Sequence, residues 1–162
     1  MSVRVYLPSS PALLRDLLLS GGLGPPPMLA HAVTDELRAA FPDAGEEDWE
    51  YAALTAAAQD ALALLGEADA PRRVVVVAEA GVVVPVTGAE PSLVEVGEAV
   101  PLRKVAAVHM DAPDAETDVA AARVAWAAAH DGDPVALERV EACLDHELGW
   151  YATQEIGDLV AE

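Results

Sequence analysis

The sequence predicts an α/β fold, a single layered domain in which a small mixed β-sheet packs with about five helices. The first observation is that segments with a strand-like apolar pattern alternate along the chain with segments of helical periodicity. The second is the length of 162 residues, which suits one domain spanning 1–162. The third is a content of 53% hydrophobic but only 4% aromatic residues, which predicts a core of Val, Leu and Ala.

The first part of the chain contains two strand patterns, each followed by a helix pattern. The opening "VRVYLP" alternates in polarity, as does a strand with one buried face. "SSPALLRDLLLSGG" predicts a helix with Ser10 as the N-cap, Pro11 in the first turn and Gly21 at the exit. "MLAHAV" predicts a second short strand, after which Thr34 caps a short helix.

The longest predicted helix covers about residues 47–66. Its predicted buried face consists of the apolar residues that recur at helical spacing. These are Tyr51, Leu54, Ala58, Ala61, Leu62 and Leu65. Trp49 falls on the opposite face, near the start of the helix, and is therefore a candidate for an exposed contact residue.

The second part of the chain predicts the centre of the sheet and two further helices. "PRRVVVVAEA" is β-branched without alternation, which favours a central strand covered on both faces. The following segment contains Pro85 and several glycines, which predicts an edge strand or a loop. "LRKVAAVHMDA" predicts another strand, and "DAETDVAAARVAWAAAH" predicts a helix. Pro134 then opens the last predicted helix, which carries "HELGWYATQE".

The charge balance limits the classes of partner. Nine Lys and Arg stand against 28 Asp and Glu, a formal net charge of -19. Such a charge repels phosphate backbones and anionic lipid surfaces, so we expect no binding to nucleic acid or membranes. A protein partner with a basic surface, or a cationic ligand, is compatible with it. The alternative interpretation is that the charge only keeps an apolar chain soluble.

The cysteine count and the apolar pattern predict a soluble cytoplasmic protein. Cys143 is the one cysteine, so the chain has no internal disulfide framework. The start of the chain lacks the long apolar region of a signal peptide. The longest apolar runs are too short to span a bilayer.

Four segments carry a resemblance to a known group of proteins. They are "VRVYLP", "RRVVVVAEA", "VAAVHMDA" and "HELGWYATQEI". Together they resemble a family of small, acidic, Ala-rich actinobacterial proteins of unknown function, over nearly the whole chain. The resemblance implies a cytoplasmic single domain. It implies no activity and no catalytic residues.

The last predicted helix does not gather its polar residues at one point. Its apolar stripe is followed on one flank by Glu147, Trp150 and Gln154, while His146 points away. A zinc-protease motif needs a second His one turn after His146, and Trp150 occupies that position. We therefore interpret Trp150 as an anchor of the helix or as a contact residue for a partner.

His109 and Asp111 form the most suggestive pair of the chain. Both follow the same face of a predicted strand and lie at its end, where ligands often bind. A third metal ligand is not identifiable, so the sequence predicts no metal site and no cofactor. No nucleophile or phosphate-loop motif accompanies the pair, so the catalytic residues stay unassigned.

Four of the few cations precede two of the strands. Arg72 and Arg73 come before one, and Arg103 and Lys104 come before the other. If the two strands run parallel, these cations share one end of the sheet and form a site for an anion. If the strands are antiparallel, the pairs lie at opposite ends and no such site exists. Charges that flank apolar strands also protect against aggregation.

These observations favour a non-enzymatic protein that binds another protein through its surface, with Trp49 or Trp150 at the contact. The first alternative is a small-molecule-binding or hydrolytic enzyme with its site at the sheet end near His109 and Asp111. The second alternative is a structural homo-oligomer, since the sequence leaves the oligomeric state open.

Overall fold

The computed structural model describes residues 2–161 and confirms the α/β class. The strands in chain order are β1 Val3–Ser9, β2 Gly22–Leu23, β3 Met28–His31, β4 Val74–Ala80, β5 Val83–Pro85, β6 Leu93–Val96, β7 Val100–Pro101, β8 Val105–Asp111 and β9 Leu148–Tyr151. The helices are α1 Pro11–Ser20, α2 Asp35–Ala40, α3 Glu46–Ala61, α4 Glu116–His130, α5 Pro134–Glu141 and α6 Ile156–Val160.

Seven strands form one sheet in the order β5-β6-β3-β1-β4-β8-β9, and β2 pairs with β7 separately. Every pairing within the described residues is antiparallel, where the sequence analysis expected a mixed sheet. A long connection such as the one between β1 and β4 permits either strand direction, so the local sequence pattern does not determine it. β5 and β9 are the outer strands, and Pro85 lies in β5, as an edge position allows.

The central strand predicted from "PRRVVVVAEA" is confirmed as β4. Val74 and Val76 belong to a core cluster on one face of the sheet, with Leu14 and Leu17 of α1. Val75 and Val77 belong to a second cluster on the other face, with alanines of α3. Both faces of β4 are therefore covered, which explains why its valines do not alternate with polar residues.

The predicted buried face of α3 and the turn after it is confirmed for Ala58, Ala61, Leu62 and Leu65, but not for Tyr51. The buried positions are Ala53, Ala57, Ala58 and Ala61, whereas Tyr51 is 54% exposed. Small side chains let the helix lie close to the sheet, and Leu54 packs against the edge of this contact. Tyr51 and Leu54 consequently line the side of the helix.

The helix predicted for "HELGWYATQE" is wrong, because Leu148–Tyr151 forms strand β9. Helix α5 ends at Glu141, a short 3₁₀ turn follows at Ala142–Asp145, and β9 then pairs with β8. Leu148–Tyr151 pairs with the edge of β8, whose backbone groups hydrogen-bond to it. This pairing prevails over the helical spacing of the apolar residues. Beyond β9, Gln154 is exposed in another 3₁₀ turn, Thr153–Glu155.

Candidate functional site

The basic residues do not form a joint anion site. β4 and β8 are antiparallel, so Arg72 and Arg73 lie at the end of the sheet opposite Arg103 and Lys104. Arg103 and Lys104 are exposed. The four cations would meet only if these two strands ran parallel. The hypothesis of a joint anion site is therefore wrong.

Arg73 is instead a buried structural residue. Its Nε donates to Asp111 Oδ2 at 2.8 Å and its Nη2 donates to Asp111 Oδ1 at 3.0 Å. The two residues thus form a bidentate ion pair, and both side chains are buried. Nη2 also donates to the carbonyls of Cys143 and His146, at 3.0 and 3.1 Å. Nη1 donates to Gln59 of α3 at 3.1 Å. Arg73 therefore ties the 3₁₀ turn before β9 to the sheet and to α3.

Asp111, His146 and Arg72 are held in separate ion pairs. Asp111 is occupied by Arg73, so it does not join His109 as a metal ligand. His146 Nε2 lies 2.7 Å from Asp118 Oδ2, and Arg72 lies 3.5 Å from Glu116. Among residues 2–161, no group of three or more His, Cys, Asp or Glu has the arrangement of a metal site.

Cys143 is unsuited to act as a nucleophile in this structure. Its thiol is buried, and burial raises its pKa to about 11. A thiol with that pKa stays protonated at neutral pH, and the thiolate is the reactive form.

Trp49 and Trp150 have different surroundings. The Trp49 indole donates to the Phe41 carbonyl at 3.0 Å, and the guanidinium of Arg38 lies 5.6 Å from its ring centre. Trp49 thus holds the turn between α2 and α3. Trp150 of β9 is 63% exposed. Of the two residues, Trp150 is the more exposed.

Trp150 stands at a concave surface that we call the His109 cleft. The cleft has a volume of about 430 Å³ and lies on the sheet beside α3. It is lined, among others, by Tyr6, Glu47, Glu50, Tyr51, His109 and Trp150. Trp150 is the cross-strand neighbour of His109, so the register of β8 and β9 fixes their positions next to each other.

The rim of the His109 cleft is acidic. Glu47 and Glu50 come from α3, and Arg4 also lines the cleft but is paired with Glu79 at 3.1 Å. The pKa of Tyr6 is raised by burial first, and then by the negative charge of Glu50. A cation entering the cleft therefore meets the aromatic rings of Tyr6, Tyr51 and Trp150, and the carboxylates of Glu47 and Glu50.

His109 lies at the inner wall of the cleft in an uncharged state at neutral pH. Burial lowers the pKa of its imidazole below the usual 6.5. Its Nδ1 is buried and has no hydrogen-bond partner within the described part of the chain. The ring therefore offers a polar atom that a ligand or a water molecule can satisfy.

We expect His109 to make the stability of the protein depend on pH. Because its folded pKa lies below 6.5, the unfolded chain binds the proton more readily, so wild-type stability falls as the pH drops through 6.5. His109→Gln removes this contribution. Urea unfolding at several pH values between 5 and 8 should show the wild type losing stability relative to the variant toward acid pH. A difference between the two that stays constant over this range would contradict the assignment.

The cleft contains residues that the sequence analysis did not assign to a site. Glu47, Glu50, Tyr51 and Leu54 recur at helical spacing along one side of α3. That spacing was visible in the sequence, but Tyr51 and Leu54 were interpreted as core because they are large and apolar. Tyr6 gave no signal, since an aromatic residue in an alternating strand is ordinary.

The fold and the cleft define an antiparallel α/β protein with an aromatic, acid-rimmed surface depression next to an outer strand. Within residues 2–161, no helix is both long and apolar enough to cross a bilayer. The model of a family of unknown function, DUF6912, matches residues 3–160, so the chain belongs to that family. The comparison with curated proteins and the comparison with solved structures gave no match.

Proposed function

We propose that this chain is a cytoplasmic protein that binds a basic segment of another protein at the His109 cleft. The observation that carries the proposal is the 63% exposure of Trp150 beside a concave, acid-rimmed surface. Exposed Trp residues are concentrated at the energetic centres of protein interfaces. Trp150 and Tyr51 offer ring faces to a Lys or Arg side chain, and Glu47 and Glu50 add charge complementarity.

The charge of the chain supports a different protein as the partner rather than a second copy. With a net charge of -19, one copy repels another. The homo-oligomer alternative therefore has less support than a hetero-complex. Size-exclusion chromatography at low and high salt separates the two, because a homo-oligomer persists without added partner.

The small-molecule alternative at His109 keeps one supporting observation, the buried Nδ1 without a partner in residues 2–161. A hydrolytic role has less support, because Asp111 is occupied by Arg73. If the cleft serves a small molecule and not a peptide, basic peptides should not bind to it. The peptide-binding experiment below therefore distinguishes the two functions.

The test uses an array of 15-residue peptides with equal numbers of basic, neutral and acidic members. We expect the basic peptides to bind, and their affinity to fall with rising salt concentration. The best basic peptide is then titrated by fluorescence anisotropy. Trp150→Ala should weaken its binding by roughly 30-fold or more, which corresponds to about 2 kcal/mol. Glu47→Gln together with Glu50→Gln should weaken binding and reduce its salt dependence.

The matched control is Leu19→Ala, which removes another exposed large side chain on α1, away from the cleft. Circular dichroism of each variant checks that it is folded. The proposal is wrong if the array selects no basic peptides, or if Trp150→Ala binds the selected peptide as well as Leu19→Ala does.

A further inference from the structure

Near the C-terminal end of α3, a buried histidine connects two polar residues. His31 of β3 is completely buried. Its Nδ1 lies 2.7 Å from Ser92 Oγ, and its Nε2 lies 2.6 Å from Asp60 Oδ2. The three side chains form a continuous hydrogen-bonded row that ends at the surface.

The exposed member of the row is the carboxylate. The side chain of Asp60 is 39% exposed, whereas Ser92 is buried behind the imidazole. In a serine hydrolase the hydroxyl faces the substrate and the acid stands behind the histidine. Here the order is reversed, so the row does not present a nucleophile. It holds Asp60 in one orientation at the surface.

Asp60 lines a surface groove with a volume of about 660 Å³, which we call the Asp60 groove. This is within the range of sites that hold small organic ligands. Its walls are largely apolar and come from α1, β3, the turn after α3, and α4. They include Leu13, Leu23, Met28, Leu29, Leu64 and Trp126. Leu29 and Leu64 are exposed in the structure, so the groove leaves apolar surface in contact with water.

The unpaired hydroxyl of Ser9 is a second observation that supports ligand binding in the groove. It lines the same groove and is buried. Its Oγ has no hydrogen-bond partner among residues 2–161. A buried hydroxyl without a partner costs free energy, and a polar atom of a bound molecule would remove that cost. The groove thus has two polar points, Ser9 and Asp60, in an otherwise apolar wall.

The charges along the groove select the class of ligand. Its ionisable lining residues in the described part of the chain are Asp60, Glu90 and His130, without any Lys or Arg. A carboxylate or phosphate headgroup would face acids without a compensating cation. A protonated amine forms a charge-assisted hydrogen bond with Asp60.

We propose that the Asp60 groove binds an elongated, apolar small molecule that carries a protonated amine. The amine donates to Asp60, the apolar body lies against Leu29, Leu64 and Trp126, and a second polar atom of the ligand bonds to Ser9. His31 and Ser92 are positioning residues that keep the carboxylate directed at the groove. This site is separate from the His109 cleft and does not depend on the function proposed for it.

The test compares three probes with the same ten-carbon chain: decylamine, decanol and decanoate. Isothermal titration below the micellar concentration of each probe measures affinity, and the NMR signal of the Trp126 indole N–H reports binding in the groove. We expect decylamine to bind most tightly and decanoate least. Asp60→Asn should weaken decylamine by about tenfold to a hundredfold and leave decanol nearly unchanged.

Two further variants make the result specific to this groove. Glu67→Gln removes one exposed acid outside the groove and should leave the affinity for decylamine unchanged, which excludes a general attraction to the acidic protein. Leu29→Gln alters an exposed wall residue, so it should fold, and it should weaken decylamine and decanol alike. The proposal is overturned if decylamine binds no better than decanoate, if Asp60→Asn or Leu29→Gln leaves its affinity unchanged, or if the Trp126 signal does not shift.

Discussion

Arg73→Ala is expected to lower the free energy of unfolding by about 3–5 kcal/mol, because it leaves Asp111 as an unpaired charge in the interior. The structure places this effect at the upper end of that range. Arg73 also donates to the carbonyls of Cys143 and His146, and these lose their partner with it. Chemical unfolding in urea, followed by circular dichroism, measures the change.

A double variant tests whether the loss of stability in Arg73→Ala comes from the unpaired charge of Asp111. In Arg73→Met with Asp111→Leu, no charge remains buried, so we expect it to be more stable than Arg73→Ala alone. Glu79→Gln serves as the control because the Arg4–Glu79 pair is partly exposed, and its loss should cost about 0–1 kcal/mol. If Arg73→Ala costs no more than Glu79→Gln, the structural role given to Arg73 is wrong.

Ile156→Ala is expected to lower the free energy of unfolding by about 2–5 kcal/mol, through lost burial and the cavity that remains. Ile156 lies in α6, close to the end of the chain, yet it is completely buried in the core cluster that contains Leu14 and Leu17 of α1. The C-terminal turn is therefore part of the core. Thermal and urea unfolding of the purified variant measure the loss.

The matched substitution for Ile156→Ala is Leu19→Ala on α1, the helix against which α6 packs. Leu19 is 80% exposed, so its truncation should change the free energy of unfolding by only about 0.5 kcal/mol or less. Equal losses in the two variants would mean that α6 does not contribute to the core as described.

The sequence predicted the class of the fold because its strongest local patterns agree with the structure. The valine run of β4 and the capped helix α1 are confirmed at their predicted places. The direction of the strands was not predictable, because strand pairing depends on contacts between distant segments. For the same reason "HELGWYATQE" was interpreted as a helix, although the open edge of β8 makes part of it a strand.

The candidate sites were predictable only in part. Trp150 and His109 were identified in the sequence, but Tyr51 and Glu50 of the same cleft were not. Arg73 was interpreted as a surface cation, because an Arg before a strand gives no sign of the buried Asp111 that meets it. The row of Ser92, His31 and Asp60 joins residues from three distant segments, which no local pattern could bring together.

The central place of β1 in the sheet has a consequence for how the protein is made. Arg4 and Glu79 face each other across β1 and β4, although they are 75 residues apart in the sequence. During synthesis, β3 follows β1 closely, but the edge of β1 that pairs with β4 stays open until β4 has been made. Such long-range pairing slows folding relative to a helical bundle, and an open strand edge is a surface on which incomplete chains can associate.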